Sequence, residues 1–226
     1  MQLYRNWTFG RQCAAREAQK TDLPSDYLLE NAGNLGLVLN DLLNRPTAER
    51  RLISHLTDLY PEIRKVHTRV RAGTVEIFLH QRGLDEPVPA SRLSDGTLRY
   101  LFMLAILCHP EPPPVICLEE PELGLHPRTL PRVAGLLKKV SQRTQLFVTT
   151  HSSYLLEQFD LEDIVVVQKT LGQTELLRPA DSEVLKANLE DFGAEQIGEL
   201  HRTEEFELFT SLGRTDEAEA TSGEGE

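Results

Sequence analysis

Leu35, Val38, Leu39, Leu42 and Leu43 recur at steps of three and four residues, which predicts a helix with one apolar face from about Asn34. Pro46 interrupts that run. Thr47 is a fitting cap for a second helix reaching Leu59, with Leu52, Ile53, Leu56 and Leu59 turned inward. The period then changes to two. IRKVHTRV, the turn residues RAG, and TVEIFLH read as an antiparallel hairpin. On its first strand Lys65, His67, Arg69 and Arg71 share one face, and Val66 and Val70 share the other. After a loop, SRLSDGTLRYLFMLAILCHP is apolar on all sides from Thr97 to Cys108, as a buried helix should be, and its first turn opens at Ser94, Asp95 and Gly96.

EPPP stops that helix, and VICL is short, β-rich and wholly apolar, as expected of a central parallel strand. HPRTLPRVAGLLKKVSQRT is amphipathic, with Leu130, Val133, Leu136, Leu137 and Val140 on one stripe. QLFVTT reads as another buried strand, HSSYLLEQF as a short helix and DIVVVQK as a third strand. Strand, helix, strand, helix, strand is the signature of an α/β layered domain. The expected organisation is an irregular N-terminal segment over residues 1–33 and one domain over 34–200. That domain is helical over 34–60, antiparallel over 61–90 and carries its core over 91–180. The tail, 201–226, ends in TDEAEATSGEGE, which is acidic, lacks large apolar side chains and should be disordered from about residue 213.

Composition changes this picture little. At 40% hydrophobic residues the chain can build a core, and its net charge of −11 argues against a surface that attracts nucleic acid everywhere. The face of Lys65, His67, Arg69 and Arg71 reads first as a solvated face, and otherwise as a local phosphate-contacting stripe. Cys13, Cys108 and Cys117 form no CxxC pair, which fits a reducing compartment. The start has no apolar leader, and no run approaches the roughly eighteen apolar residues of a membrane span, so a cytoplasmic protein without a membrane segment is expected.

Three polar clusters fall at the ends of apolar elements. Ser94, Asp95, Gly96 and Thr97 open a helix whose first amides have no partner in the preceding turn, a ready place for an anion. Glu119 and Glu120 follow VICL at the carboxyl end of a parallel strand, where open α/β sheets place ligands. Thr149, Thr150, His151 and Ser152 end the next strand. An anion site, two carboxylates and a histidine point to metal-assisted phosphate chemistry, with one acid orienting Mg2+ and the other a water. The plainer readings are ordinary strand-end acids and a helix-capping His151. A zinc site from His109, His126 and His151 lacks ligand spacing, and Ser94 lacks the GxSxG elbow of a hydrolase nucleophile.

LSDGTLRYL, VICLEEPELGLHP and TTHS, in this order, resemble the ABC-type ATPases of the RecF, SMC and OLD-like group, and more closely the bacterial AAA-family ATPases of RecF-like type. YRNWTFGR and NLGLVLNDL also resemble that family, so the likeness runs from near the start to about Leu200. It implies a P-loop NTPase-like parallel sheet flanked by helices, with the hairpin and helices as an insertion. It implies ATP and Mg2+ as cofactors. Ser94, Asp95, Gly96 and Thr97 would be the signature that meets the γ-phosphate of a nucleotide held by the opposite subunit. Glu119 would support Mg2+ through water, Glu120 would be the catalytic base, His126 would lie in the D-loop, and His151 would sense the γ-phosphate.

One part is absent. The Walker A loop reads GxxxxGK[ST], and no glycine in this sequence is followed by lysine. The resemblance puts that loop, with its strand, upstream of everything in this sequence. Two expectations follow. The chain is the later part of an ATPase whose Walker A comes from a partner chain, and it is inactive alone; the resemblance also implies a homodimer. Alternatively it is a non-catalytic interaction module or remnant that keeps the signature helix for a partner's site.

Overall fold

The computed structural model describes residues 1–5, 10–193 and 195–211. The chain forms two compact units, Met1–Thr150 and His151–Glu226. The expected disorder from about residue 213 lies outside the described residues.

The first unit begins with β1 (Gln2–Tyr4) and, after a 3-10 turn at Ala14–Arg16, β2 (Gln19–Lys20). The opening therefore carries two strands where an irregular segment is expected. Three and two residues are too short to show a period, and both are strands only because distant partners pair with them. Helix α1 spans Leu35–Leu43 and α2 spans Pro46–Leu59. Thr47 does not cap α2. Pro46 opens it instead, since its fixed φ and missing N–H suit a first helical turn, and Arg45 is the capping residue. Ala48, Leu52 and Leu56 are its buried residues, while Ile53 and Leu59 are only half-buried.

The expected hairpin is present as β3 (Ile63–Arg71) and β4 (Thr74–Gln81), antiparallel. Ala72 and Gly73 form the two-residue turn, both with positive φ (47° and 77°), the twist that matches a tight hairpin. β2 and the short β5 (Val88–Pro89) pair with β4. Val66 is buried as expected, but Val70 is 54% exposed: Thr68 meets Asn40 of α1 at 2.8 Å, and Val70 lies beyond that contact toward the hairpin tip.

Helix α3 (Asp95–Leu107) is buried along nearly its whole length, from Thr97 and Leu98 through Tyr100–Leu107. An all-round apolar sequence is stable only inside a core, and the core of this unit is built about this helix. β6 (Val115–Glu119) is central in a parallel sheet of order β1–β6–β7, with α4 (Leu130–Ser141) preceding β7 (Gln145–Thr149). The α4 stripe of Leu130, Val133, Leu136, Leu137 and Val140 is buried as its period requires. β7 is not the buried strand expected. It is an edge strand, and Phe147 is 55% exposed.

The second unit has its own core, including Leu161, Ile164, Leu185, Ile197, Leu200 and Phe206. It contains α5 (Ser153–Leu156), β8 (Val166–Thr170), β9 (Gln173–Leu177), α6 (Glu183–Phe192) and α7 (Glu195–Arg202). DIVVVQK is thus not a third strand of the parallel sheet. β8 pairs antiparallel with β9 through a Leu171–Gly172 turn, a local partner that needs no crossover helix. Among the described residues no helix is long and apolar enough to cross a membrane.

Candidate functional site

β6 ends at Glu119, which pairs with Thr149 of β7. The Glu120 amide then donates to the Thr149 carbonyl at 2.9 Å, and the backbone of Glu120 turns into the left-handed region with φ 44°. A side chain there is sterically disfavoured, and residues kept in such strain cluster at functional sites. Glu119 is exposed and Glu120 half-buried. The loop that follows is closed by Leu123 N–H to Glu120 O (3.2 Å) and Leu125 N–H to Glu122 O (3.0 Å).

Glu122, not singled out in the sequence, is buried. The Thr150 hydroxyl donates to its Oε1, while Oε2 is buried without a hydrogen-bond partner. Only its place in an acid-rich loop could have marked it. His126 is exposed, and its Nδ1 accepts from Arg128 N–H at 3.2 Å, capping the 3-10 turn Pro127–Thr129.

At the other cluster, Ser94 is the N-cap of α3: its hydroxyl accepts from Thr97 N–H (3.1 Å) and lies 2.8 Å from the Thr97 hydroxyl. Ser94 and Asp95 are exposed, but Thr97 is 8% exposed, so its side chain belongs to the interior. Gly96 has a reason within this chain to be glycine. A Cβ there would lie 3.0 Å from the Gly124 carbonyl oxygen, so the start of α3 and the loop after the acids touch backbone to backbone. Arg99, one turn into α3, places its Nε near Gly124. Burial lowers the pKa of its guanidinium, and the charges of Asp95 and Glu122 oppose that shift. The Ser94 turn and the acid loop therefore share one rim of the first unit.

His151 is exposed and opens the second unit. It does not cap the next helix. Ser152 does, accepting from Leu155 N–H. The basic face of β3 is not an open row of charges: His67 stacks on Phe78 with ring centroids 5.2 Å apart, and the Arg69 guanidinium lies 4.6 Å above the same ring. Burial first, then the charges of His80, Arg69 and Lys65, lowers the His67 pKa.

The acid loop offers hard oxygen donors, including the buried and unpartnered Glu122 Oε2, which suits Mg2+ chemically. Among the described residues no three His, Cys, Asp or Glu side chains come together as a cage. That fits an ion held by one or two carboxylates, with a nucleotide's phosphates and water completing the shell.

A family profile described as "AAA domain, putative AbiEii toxin, Type IV TA system" matches residues 17–157, which include both clusters. No curated protein matches the chain. Among solved structures, one from work on ATP-driven dimerization and DNA-stimulated activation of SMC ATPases is 19% identical with a TM-score of 0.50, over 67% of this chain and 96% of that one. A Smc head bound to the C-winged helix domain of ScpA is 15% identical, TM-score 0.52, over 68% of this chain and 55% of that one. A Smc head from Pyrococcus furiosus with an extended coiled coil, bound to the C-terminal domain of ScpA, is 16% identical, TM-score 0.51, over 71% and 42%. The chain thus spans nearly all of the first and about half or less of the other two. At these identities the likeness carries the fold: an α/β, P-loop NTPase-type parallel sheet flanked by helices.

Proposed function

The chain belongs to this AAA-domain family, as a RecF- and SMC-like ABC-type ATPase, and from that premise we propose that it presents a signature turn and a Walker B acid pair to ATP. Glu119 supports Mg2+, Glu120 holds and deprotonates the attacking water, and the Ser94 turn meets the γ-phosphate of a nucleotide bound by an opposed chain. His151 is the γ-phosphate sensor and His126 keeps the D-loop's shape. Mg2+ neutralises charge on the phosphates, whereas the protein groups bind, orient and move a proton. Because no glycine is followed by lysine in the sequence, the Walker A grip is supplied by a segment other than these residues or by a different partner chain, and dimerisation is a separate part of the same reading. A cytoplasmic setting follows from the same reading.

One observation carries the proposal. Glu120 is held in a left-handed conformation at the end of the central strand, in a loop that packs against Gly96 of the Ser94 turn. Nothing in core packing needs two acids and a helix start on one rim, whereas a metal–triphosphate complex needs both signs of charge there.

The test joins the chain to a Walker A-bearing segment, fused or co-expressed. Glu120→Gln should lower ATP turnover at least about 100-fold, the usual worth of a positioned base, while ATP-dependent association persists. Unchanged turnover removes Glu120 from its role. If turnover survives Glu120→Gln but is lost in Ser94→Ala, the second reading holds: a non-catalytic module that completes a partner's site.

A further inference from the structure

We propose that Arg16 is the positioning residue of the Ser94 turn, and that Asp95 is its anchor rather than a ligand of phosphate. The inference rests on the reading of residues 94–97 as a phosphate-facing turn.

Arg16 ends the short 3-10 turn Ala14–Arg16, and its side chain is only 11% exposed. Its guanidinium reaches into the loop ahead of α3 with three separate donors in use. Nη1 donates to Leu93 O at 2.6 Å and to Ala90 O at 3.2 Å, Nη2 pairs with an Asp95 carboxylate oxygen, and Nε donates back to Gly10 O at 3.2 Å. The residues it grips flank Ser94 on both sides. Their spacing sets where the Ser94 hydroxyl and the first amides of α3 point, because a planar fork with fixed donor directions holds several acceptors in one arrangement. A lysine cannot, having one compact ammonium and no fork.

Charge leads to the same assignment. A bare carboxylate at position 95 would repel a triphosphate. Paired with Arg16 it is neutralised, and an open cleft of about 540 Å³ beside it is lined by Arg11, Arg16, Arg92 and Ser94 among others. Three guanidinium groups against one carboxylate leave that cleft positive in a chain whose net charge is −11. A single capped helix start would not need this framework; a turn held ready for a highly charged anion does, since preorganised donors bind without reordering.

The experiment uses the isotope-labelled full chain and sodium tripolyphosphate as probe, following backbone amides by NMR and hydrogen exchange. In the unaltered chain, tripolyphosphate should shift the amides of Gly96 and Thr97. Arg16→Ala should speed exchange at residues 93–98 about tenfold while the β3–β4 amides stay unchanged, and weaken tripolyphosphate about tenfold. Arg16→Lys, which keeps the charge and protects the fold, should restore less than half of either loss. Adding Asp95→Ala to Arg16→Ala should speed exchange no further, because the one contact Asp95 makes with Arg16 is already lost, and should recover part of the tripolyphosphate affinity by removing the bare carboxylate. Exchange and affinity both within twofold of the unaltered chain in Arg16→Ala, or full rescue by lysine, overturn the inference. If exchange at 93–98 rises as expected but the unaltered amides ignore tripolyphosphate, the phosphate-facing reading fails and the pinning of the turn by Arg16 stands.

Discussion

Glu120 carries two opposing demands. Its φ of 44° is a conformation in which glycine is comfortable and a carboxylate side chain is not, and the amide is nevertheless locked to Thr149 O at 2.9 Å. The strain is worth about 1–2 kcal/mol for an L residue, partly offset when glycine loosens the unfolded chain. Glu120→Gly should therefore stabilise the fold by about 0.5–1 kcal/mol, read by urea unfolding, while removing the proposed base. A loss of stability would mean that the carboxylate itself holds the loop. At this scale the acids and Ser94 were legible in the sequence, because charge and a hydroxyl at the ends of apolar elements break a simple pattern. Arg16 was not. Its partners Ala90, Leu93 and Asp95 are 74, 77 and 79 residues away, and nothing local distinguishes it from other surface arginines.

Between elements, the decisive contact is the meeting of α3 with the loop beyond β6. From sequence, Gly96 is part of a helix start open to an anion, yet the space beside it is filled by the Gly124 carbonyl, 3.0 Å from any added Cβ. Gly96→Ala must push that backbone aside and should cost about 1–3 kcal/mol in thermal or urea unfolding, a typical overpacking penalty. A change below about 0.5 kcal/mol would show that the loop yields freely and that α3 and the acids are not held in register. The elements themselves follow from periodicity where it is long enough. α3 and α4 bury the residues their patterns demand, and the β3–β4 turn lies where Ala72 and Gly73 announce it. β1 escaped notice because three residues carry no period, and β8 was assigned to the wrong sheet because an apolar run states that a strand exists but not which neighbour it takes.

Across the molecule, proton balance offers a test of the first unit. Burial is the leading cause that lowers the pKa values of both His55 and His67 below the ordinary 6.5. Each ring is harder to charge in the fold than in the unfolded chain. The unfolded chain binds more protons as pH drops past 6.5, so their contribution is fully present above that value and is lost as pH falls through the lower folded pKa values. Thermal melting should therefore shift downward between about pH 7.5 and 5.5, and His67→Phe, which keeps the stack on Phe78, should flatten part of that dependence. A melting temperature independent of pH over this range would contradict the burial of these rings. Also at this scale, the parallel sheet leaves a row of Leu3, Cys117 and Phe147 in register across β1, β6 and β7, with Leu3 38% and Phe147 55% exposed. Parallel sheets are ordinarily covered on both faces, and this row is not fully covered.

By itself the sequence determined the layered α/β character, the buried helix at the core of the first unit, the hairpin, and the chemical identity of the rim: two acids after an apolar strand and a capped helix start. These follow from local period and local charge, which neighbours in the chain decide. Only the tertiary structure decided that β1 completes the parallel sheet, that the chain divides after Thr150, that Gly96 answers to Gly124, and that the half-buried guanidinium of Arg16 bonds to the backbone ahead of the Ser94 turn. Each of these is a pairing between residues far apart in the chain, and its free energy depends on which groups are brought together, a quantity that no window of neighbouring residues contains.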